Sequence, residues 1–381
     1  MSARFSCALI AFVFVFATDS YAQTVLPTPA PPIIGAKSYL VIDATTGHEL
    51  ASLEPDIALA PASLTKIMTS YVVFKALEQG QVRLEDEVTI SEKAWRMPGS
   101  RMFVEVGKRV TVRDLLMGMI VQSGNDASVA LAEHIAGDES VFAEMMNQHA
   151  AQLGMLATRF ANATGLPAEG HVTTARDLTT LARAMIAEFP EYYSWHAIRD
   201  FTFNEITQSN RNKLLWRDPS VDGLKTGHTD DAGYCLVASA ERDGMRVISA
   251  VLGTASEKAR ADGSQALINY GFRFFETRLL FAAGEEVTNA RVWKSANETS
   301  GLGVLEDLYI TVRRGTYGQL ASAVDIPAIV EAPLAEGQPV AELRVNFGEK
   351  EILRTPLHAL EDNPRGSFWQ RTVDSISLMF E

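Results

Sequence analysis

The chain of 381 residues is 47% hydrophobic and 21% charged, and 34 Lys and Arg stand against 47 Asp and Glu, a net charge of −13. These proportions belong to a globular protein of two or three domains and exclude a disordered, fibrous or integral-membrane chain. The acidic balance excludes a nucleic-acid binder resting on clustered positive charge, and two cysteines, Cys7 and Cys235, are too few for a disulfide scaffold or a cysteine-based zinc site.

Residues 1–22 read as a secretory signal peptide. Arg4 makes a positive start, the 11 apolar residues from 7 to 17 are too few to cross a bilayer, which needs ~20, and Ser20-Tyr21-Ala22 is a small-x-small exit. Cleavage after Ala22 leaves Cys235 as the remaining thiol, in a strand-like setting that suits a buried, inert side chain. Residues 23–35, with Pro27, Pro29, Pro31 and Pro32, form an extended tether. A hairpin is expected next, from Ser38 to Asp43 and His48 to Leu53. From Pro61 to about Ala76 the residues Leu64, Ile67, Met68, Tyr71 and Val72 fall on one stripe of a core helix. Further helical patterns run from Val112 to Val121, Asp126 to Ala136, Val141 to Leu153 and Thr174 to Glu188. Strands are expected at Phe201 to Glu205, Val221 to Thr226, Tyr234 to Ala240 and Arg246 to Gly253, then a helix from about Ser256 to Phe275. Together these make an α/β domain over residues 36–278. Residues 284–363 alternate in short runs punctuated by Gly and Pro, the pattern of a small β domain. Residues 366–381 place Trp369, Val373, Ile376 and Phe380 on one face of an amphipathic helix.

Three motifs carry chemistry. Ser63-Leu64-Thr65-Lys66 lies at the start of the expected core helix, two residues after Pro61, where the serine N–H is unpaired and faces the positive end of the helix dipole. Lys66, three residues on, shares a face with the Ser63 hydroxyl, off the apolar stripe. Ser123-Gly124-Asn125 breaks two helical patterns so that both polar side chains can point the same way. Lys225-Thr226-Gly227-His228-Thr229 ends an expected strand. The order S-x-x-K, S-x-N, K-T-G, at positions 63, 123 and 225, is the signature of serine acyl enzymes that recognise penicillin.

With these motifs, with His228 directly after K-T-G, and with the runs Asn210-Arg211-Asn212 and Gly271-Phe272-Arg273-Phe274-Phe275, the chain resembles the low-molecular-mass penicillin-binding proteins of the D-alanyl-D-alanine carboxypeptidase type. The resemblance implies a serine β-lactamase/DD-peptidase-like domain, an antiparallel sheet flanked by helices with a helical subdomain, followed by a small all-β domain and an amphipathic tail helix. It implies an exported, periplasmic enzyme held peripherally to the inner membrane by that tail, with peptidoglycan stem peptides as substrate and β-lactam antibiotics as covalent inhibitors. Ser63 would be the nucleophile, Lys66 the general base, Ser123 the proton carrier to the leaving amine, and Asn125 an orienting amide. The N–H groups of Ser63 and His228 would form the oxyanion hole. Thr226 and Thr229, beside Gly227, would address the terminal carboxylate with Arg260, although Arg242, Arg246 and Lys258 lie nearby. A neutral Lys66 at pH 7 requires lowering its pKa by roughly 3 from ~10.4, and Lys225 would be the cation that assists burial.

Two departures follow. Glu169, the residue placed to activate water in a class A β-lactamase, has no Asn four residues later, so fast penicillin hydrolysis is not expected. The tail sets Arg371 against Asp374 and Glu381, which leaves Phe368, Trp369, Ile376 and Phe380 to carry any membrane attachment. No metal or cofactor is expected: the seven histidines form no H-E-x-x-H, and no Gly-rich phosphate loop follows a strand.

Overall fold

The computed structural model describes residues 29–379. The signal peptide, the first part of the tether and Phe380 lie outside the described residues.

The hairpin forms as β1 (Ser38–Asp43) and β2 (Glu49–Leu53). With β3 (Val221–Thr229), β4 (Gly233–Arg242) and β5 (Met245–Thr254) it makes an antiparallel sheet in the order β2-β1-β5-β4-β3. The period of two decides which face each side chain covers. Leu40, Ile42, Val237, Ile248 and Ala250 join one buried cluster, and Tyr39, Val41, Leu236, Val247 and Val251 join another on the opposite face. The first face packs on α1 (Thr65–Glu78) and α5 (Ala175–Glu188), and α2 (Val112–Gln122), α3 (Asn125–Ala136) and α4 (Glu139–Gln152) extend the same cluster beyond them; the second packs on α6 (Glu257–Phe274).

The first helix departs from expectation in two ways. Ser63 lies in a 3-10 turn, Ala62–Leu64, ahead of α1 rather than inside it. The helix has no polar stripe facing a cleft: from Thr65 to Phe74 every residue is buried, including Lys66, because helices and sheet enclose it on all sides.

Residues 275–281, read in part as the end of the first domain, form strand β6 (Phe275–Phe281) directly after α6. The remaining strands are β7 (Glu286–Arg291), β8 (Thr299–Gly303), β9 (Leu308–Arg313), β10 (Leu320–Asp325), β11 (Pro339–Phe347) and β12 (Lys350–Ala359). β6 pairs with β9, and the other five make a sheet in the order β7-β8-β12-β11-β10 around Leu302, Leu343, Val345 and Leu357. The two domains are tied by half-buried hydroxyls: Thr277 Oγ1 donates to Asp43 Oδ2 at 2.7 Å, and Thr46 Oγ1 lies 2.6 Å from Thr311 Oγ1. The tail helix α7 (Phe368–Ser377) opens on a capping box between Ser367 and Gln370, and the Lys294 N–H donates to Asp374 Oδ2 at 2.5 Å. Its Phe368, Trp369, Val373 and Ile376 are exposed. Among the described residues no helix is long and apolar enough to cross a membrane.

Candidate active site

The 3-10 turn that carries Ser63 is closely approached by two glycines. A Cβ on Gly165, at φ +85°, would stand 1.8 Å from the Ala62 carbonyl oxygen. One on Gly227 would stand 3.2 Å from Ala62 Cβ, Leu64 Cγ and the Pro61 carbonyl oxygen. At Gly165 any side chain is excluded, and at Gly227 one would press on the turn tightly enough that its neighbours would have to shift.

Lys66 points from the first turn of α1 into the same space. Its Nζ donates to Ser63 Oγ at 3.1 Å, to Asn125 Oδ1 at 2.7 Å and to the Thr164 carbonyl at 2.5 Å. Burial, reinforced by the Arg211 guanidinium and opposed by Asp126, lowers its pKa from 10.5 to about 7. The exposed Arg211 joins the expected helper. Lys225 is itself buried and is pushed well below its ordinary value by burial first, then by the Lys66 ammonium, Arg211 and Arg260, while Arg211 also acts on Lys66.

The Ser123-Gly124-Asn125 corner joins α2 to α3. Ser123 ends α2 in the left-handed region at φ 69°, its N–H returning to the Gly118 carbonyl, and this puts a buried Oγ without a hydrogen-bond partner into the cleft. Such a conformation costs a β-carbon-bearing residue on the order of 1 kcal/mol and persists only where its surroundings hold it. Asp126 does the holding: its carboxylate accepts the N–H groups of Met102 at 3.0 Å and Phe103 at 2.9 Å. Asn125 Nδ2 donates to the Pro98 carbonyl at 2.7 Å, which fixes its Oδ1 on Lys66.

Strand β3 is an edge of its sheet and runs past the Ser63 turn. Arg260, from the first turn of α6, is 4% exposed and donates through Nη1 to the Gly227 carbonyl at 3.1 Å. Its guanidinium lies 5.6 Å from the centre of the Tyr234 ring, against which His228 packs at 3.9 Å. Arg260 itself approaches the exposed Glu257 carboxylate only at 3.7 Å, whereas the other cations near it in sequence are held closely: Arg242 pairs with Asp218, Arg246 with Asp222 and Glu241, and Lys258 with Asp262.

Ser63, Ser123, Asn125, Thr226, Gly227, His228, Thr229 and Arg260 thus line one cavity of about 400 Å³, and Lys66 and Lys225 lie buried beneath it. Five parts of its wall escaped sequence reasoning: Gly99-Ser100, Arg211, Tyr234, Glu257 and the loop Thr164-Gly165-Leu166. That loop is pinned to α1, with Thr69 Oγ1 donating to the Ala163 carbonyl at 2.8 Å and Thr65 Oγ1 lying 2.8 Å from His171 Nε2. His171 Nδ1 accepts the Ala161 N–H, and burial holds this imidazole neutral with a pKa of about 4. Glu169, three residues beyond Leu166, is exposed and outside the cavity wall. Among the described residues no group of three His, Cys, Asp or Glu is placed to hold a metal ion.

Residues 26–256 match the family model for D-alanyl-D-alanine carboxypeptidase, and 275–365 match the C-terminal domain of penicillin-binding protein 5. The chain belongs to the D-alanyl-D-alanine carboxypeptidase family. It is 42% identical over 360 residues to the D-alanyl-D-alanine carboxypeptidase DacA of Escherichia coli, covering 92% of this chain and 89% of that one. The fold is similar to the crystal structure of penicillin-binding protein 5 from Haemophilus influenzae, with a TM-score of 0.86 and 40% identity over 88% of this chain and 100% of that one. It is also similar to penicillin-binding protein D2 of Listeria monocytogenes in its ampicillin-bound form, with a TM-score of 0.58 and 32% identity over 63% of this chain and 98% of that one.

Proposed function

We propose that this family member releases the terminal D-alanine from peptidoglycan pentapeptide stems through an acyl-enzyme on Ser63. The observation that carries the reading is the buried Lys66 amine, brought to a pKa of about 7 with its Nζ 3.1 Å from Ser63 Oγ. Near neutral pH half of such amines are free to take the serine proton.

The stem peptide lies along the open edge of β3 as an added strand, with its terminal carboxylate toward Arg260, Thr226 and Thr229. Ser63 Oγ attacks the carbonyl carbon between the two D-alanines as its proton passes to Lys66 Nζ. The oxyanion is held by the N–H groups of Ser63 and His228. The C–N bond then breaks, and the proton reaches the departing amine through the Ser123 hydroxyl, whose Oγ is committed to no other group. Water attacks the ester, and the free tetrapeptide stem leaves. A β-lactam acylates Ser63 in the same way, and the position of Glu169 outside the cavity favours slow turnover of that ester.

The same reading places the mature chain in the periplasm. There the exposed Phe368, Trp369, Val373 and Ile376 rest on the inner membrane by apolar contact rather than by charge. Fluorescent penicillin tests the nucleophile: wild type becomes covalently labelled and Ser63→Ala does not, and equal labelling of the two would remove Ser63 from the role.

A further inference from the structure

A second cavity, of about 730 Å³, lies between the two domains and is formed by neither alone. Its walls are the start of β2, Tyr270 on α6, residues 309–313 of β9, and Phe347, Lys350 and Ile352 of the β11–β12 hairpin. The volume is that of a ligand site rather than a packing defect.

Two features say what it would take. The first is shape. Among the described residues β9 pairs only with β6, and five consecutive residues of β9 line the cavity, so the side of the strand turned away from β6 borders it. An unpaired strand edge offers main-chain donors and acceptors to an extended peptide. The chain's own Pro29–Pro31 segment lies against another wall, where the Tyr270 hydroxyl donates to the Pro29 carbonyl at 3.0 Å. A peptide backbone therefore already sits against this surface.

The second is charge. Arg313 and Lys350 line the cavity, and among the described residues neither makes an ion pair or a side-chain hydrogen bond. The one carboxylate in the wall, Glu49, is engaged by Arg176 at 3.4 Å and by Ser52 at 2.5 Å. In a chain of net charge −13, two cations left without a counter-charge in one groove point to an anionic occupant.

We propose that this interdomain groove is a non-catalytic subsite for a stem peptide of the peptidoglycan polymer, its free carboxylates held by Arg313 and Lys350 and its backbone laid along β9. The assignment rests on the carboxypeptidase reading, because that reading makes an extended, carboxylate-bearing peptide the polymer this chain meets. A polymer bearing many stems engages groove and active site together, so the groove raises retention on the polymer without entering the chemistry.

The test uses the mature full-length chain with Ser63 blocked by excess benzylpenicillin, titrated calorimetrically with the tetrapeptide L-Ala-γ-D-Glu-L-Lys-D-Ala. Binding to the acylated chain, weakened at least tenfold in R313Q/K350Q and for the same peptide with its carboxylates converted to amides, is the expected result. D-alanine release from a pentapeptide by R313Q/K350Q stays at the wild-type rate. The proposal is overturned if the acylated chain does not bind, if the double variant or the amidated peptide binds as tightly, or if an unrelated L-peptide of equal charge matches the tetrapeptide. The last result would give the groove to an acidic protein partner. Failure of penicillin to acylate wild type would instead overturn the carboxypeptidase reading.

Discussion

Replacing Lys66 with arginine keeps a positive group of similar length on α1 but removes any access to a neutral base, since a guanidinium does not deprotonate in proteins. In the wild type, lowering the amine from 10.5 to about 7 corresponds to roughly 5 kcal/mol in favour of the neutral form. Burial and Arg211 supply that bias, and the hydrogen bonds from Nζ to Asn125 and Thr164 hold the amine beside Ser63. Because the neutral amine is the active form, acylation should rise with pH. At pH 6 its rate should be about one fifth of that at pH 7, and it should level off above pH 8. Lys66→Arg should fall by roughly 10²–10⁴ at every pH, the usual worth of a general base. The assay is the pseudo-first-order rate of labelling by fluorescent penicillin between pH 5 and 9. The midpoint belongs to Lys66 and Lys225 together, because each ammonium lowers the other's affinity for a proton. A rate flat across pH 5.5 to 8.5, or Lys66→Arg labelling within tenfold of wild type, would refute the reasoning.

Gly165→Ala forces a Cβ to within 1.8 Å of the Ala62 carbonyl at a φ of +85°, so we expect a stability loss of about 2–4 kcal/mol in thermal melts and slower labelling of Ser63. Arg260→Ala should raise KM for a D-Ala-D-Ala peptide at least tenfold with kcat reduced less, and an unchanged KM in steady-state assays would transfer the carboxylate to Arg211. Removing residues 366–381 should abolish co-sedimentation with phosphatidylglycerol vesicles, whereas raising salt from 0.1 to 0.5 M should not, because the attachment we propose for the tail is apolar; a salt-sensitive interaction would contradict that account.

The site was legible wherever its chemistry is written in side chains at fixed spacing. Ser63, Ser123, Asn125, Lys225 to Thr229 and Arg260 converge on one cavity although they come from four separate stretches of chain. The strand pattern was equally clear, because alternation at Leu40, Val41 and Ile42 reports two buried faces. What remained hidden is of another kind. The Thr164 carbonyl that holds Lys66 is a backbone atom, and any residue type could present it. Arg211 sits between Asn210 and Asn212 with nothing in its spacing to distinguish it from a solvated arginine. The burial of α1 on every side was masked because its apolar residues do make a stripe, and only the tertiary enclosure shows that Lys66, Thr69 and Ser70 are covered too. The hairpin Asp200–Phe203 and Ile206–Ser209 was read as a single strand because its two-residue turn, with positive φ at both positions, is built from Asn204 and Glu205 rather than an Asn-Gly pair.

The position of β1 has a consequence for the order in which the protein can come into being. The first strand among the described residues is not at a border of the main sheet but inside it, between β2 and β5, with Tyr39 opposite Val251. A chain leaving the ribosome therefore carries an unfinished sheet until some two hundred further residues have followed, and closing so long a loop is slow and unfavourable until its contacts form. The nucleophile turn depends on Gly227 and Gly165 closing over it, so it too waits for that closure. Activity and compactness arrive together and late, which leaves the growing chain extended enough to be threaded through a narrow channel before it folds.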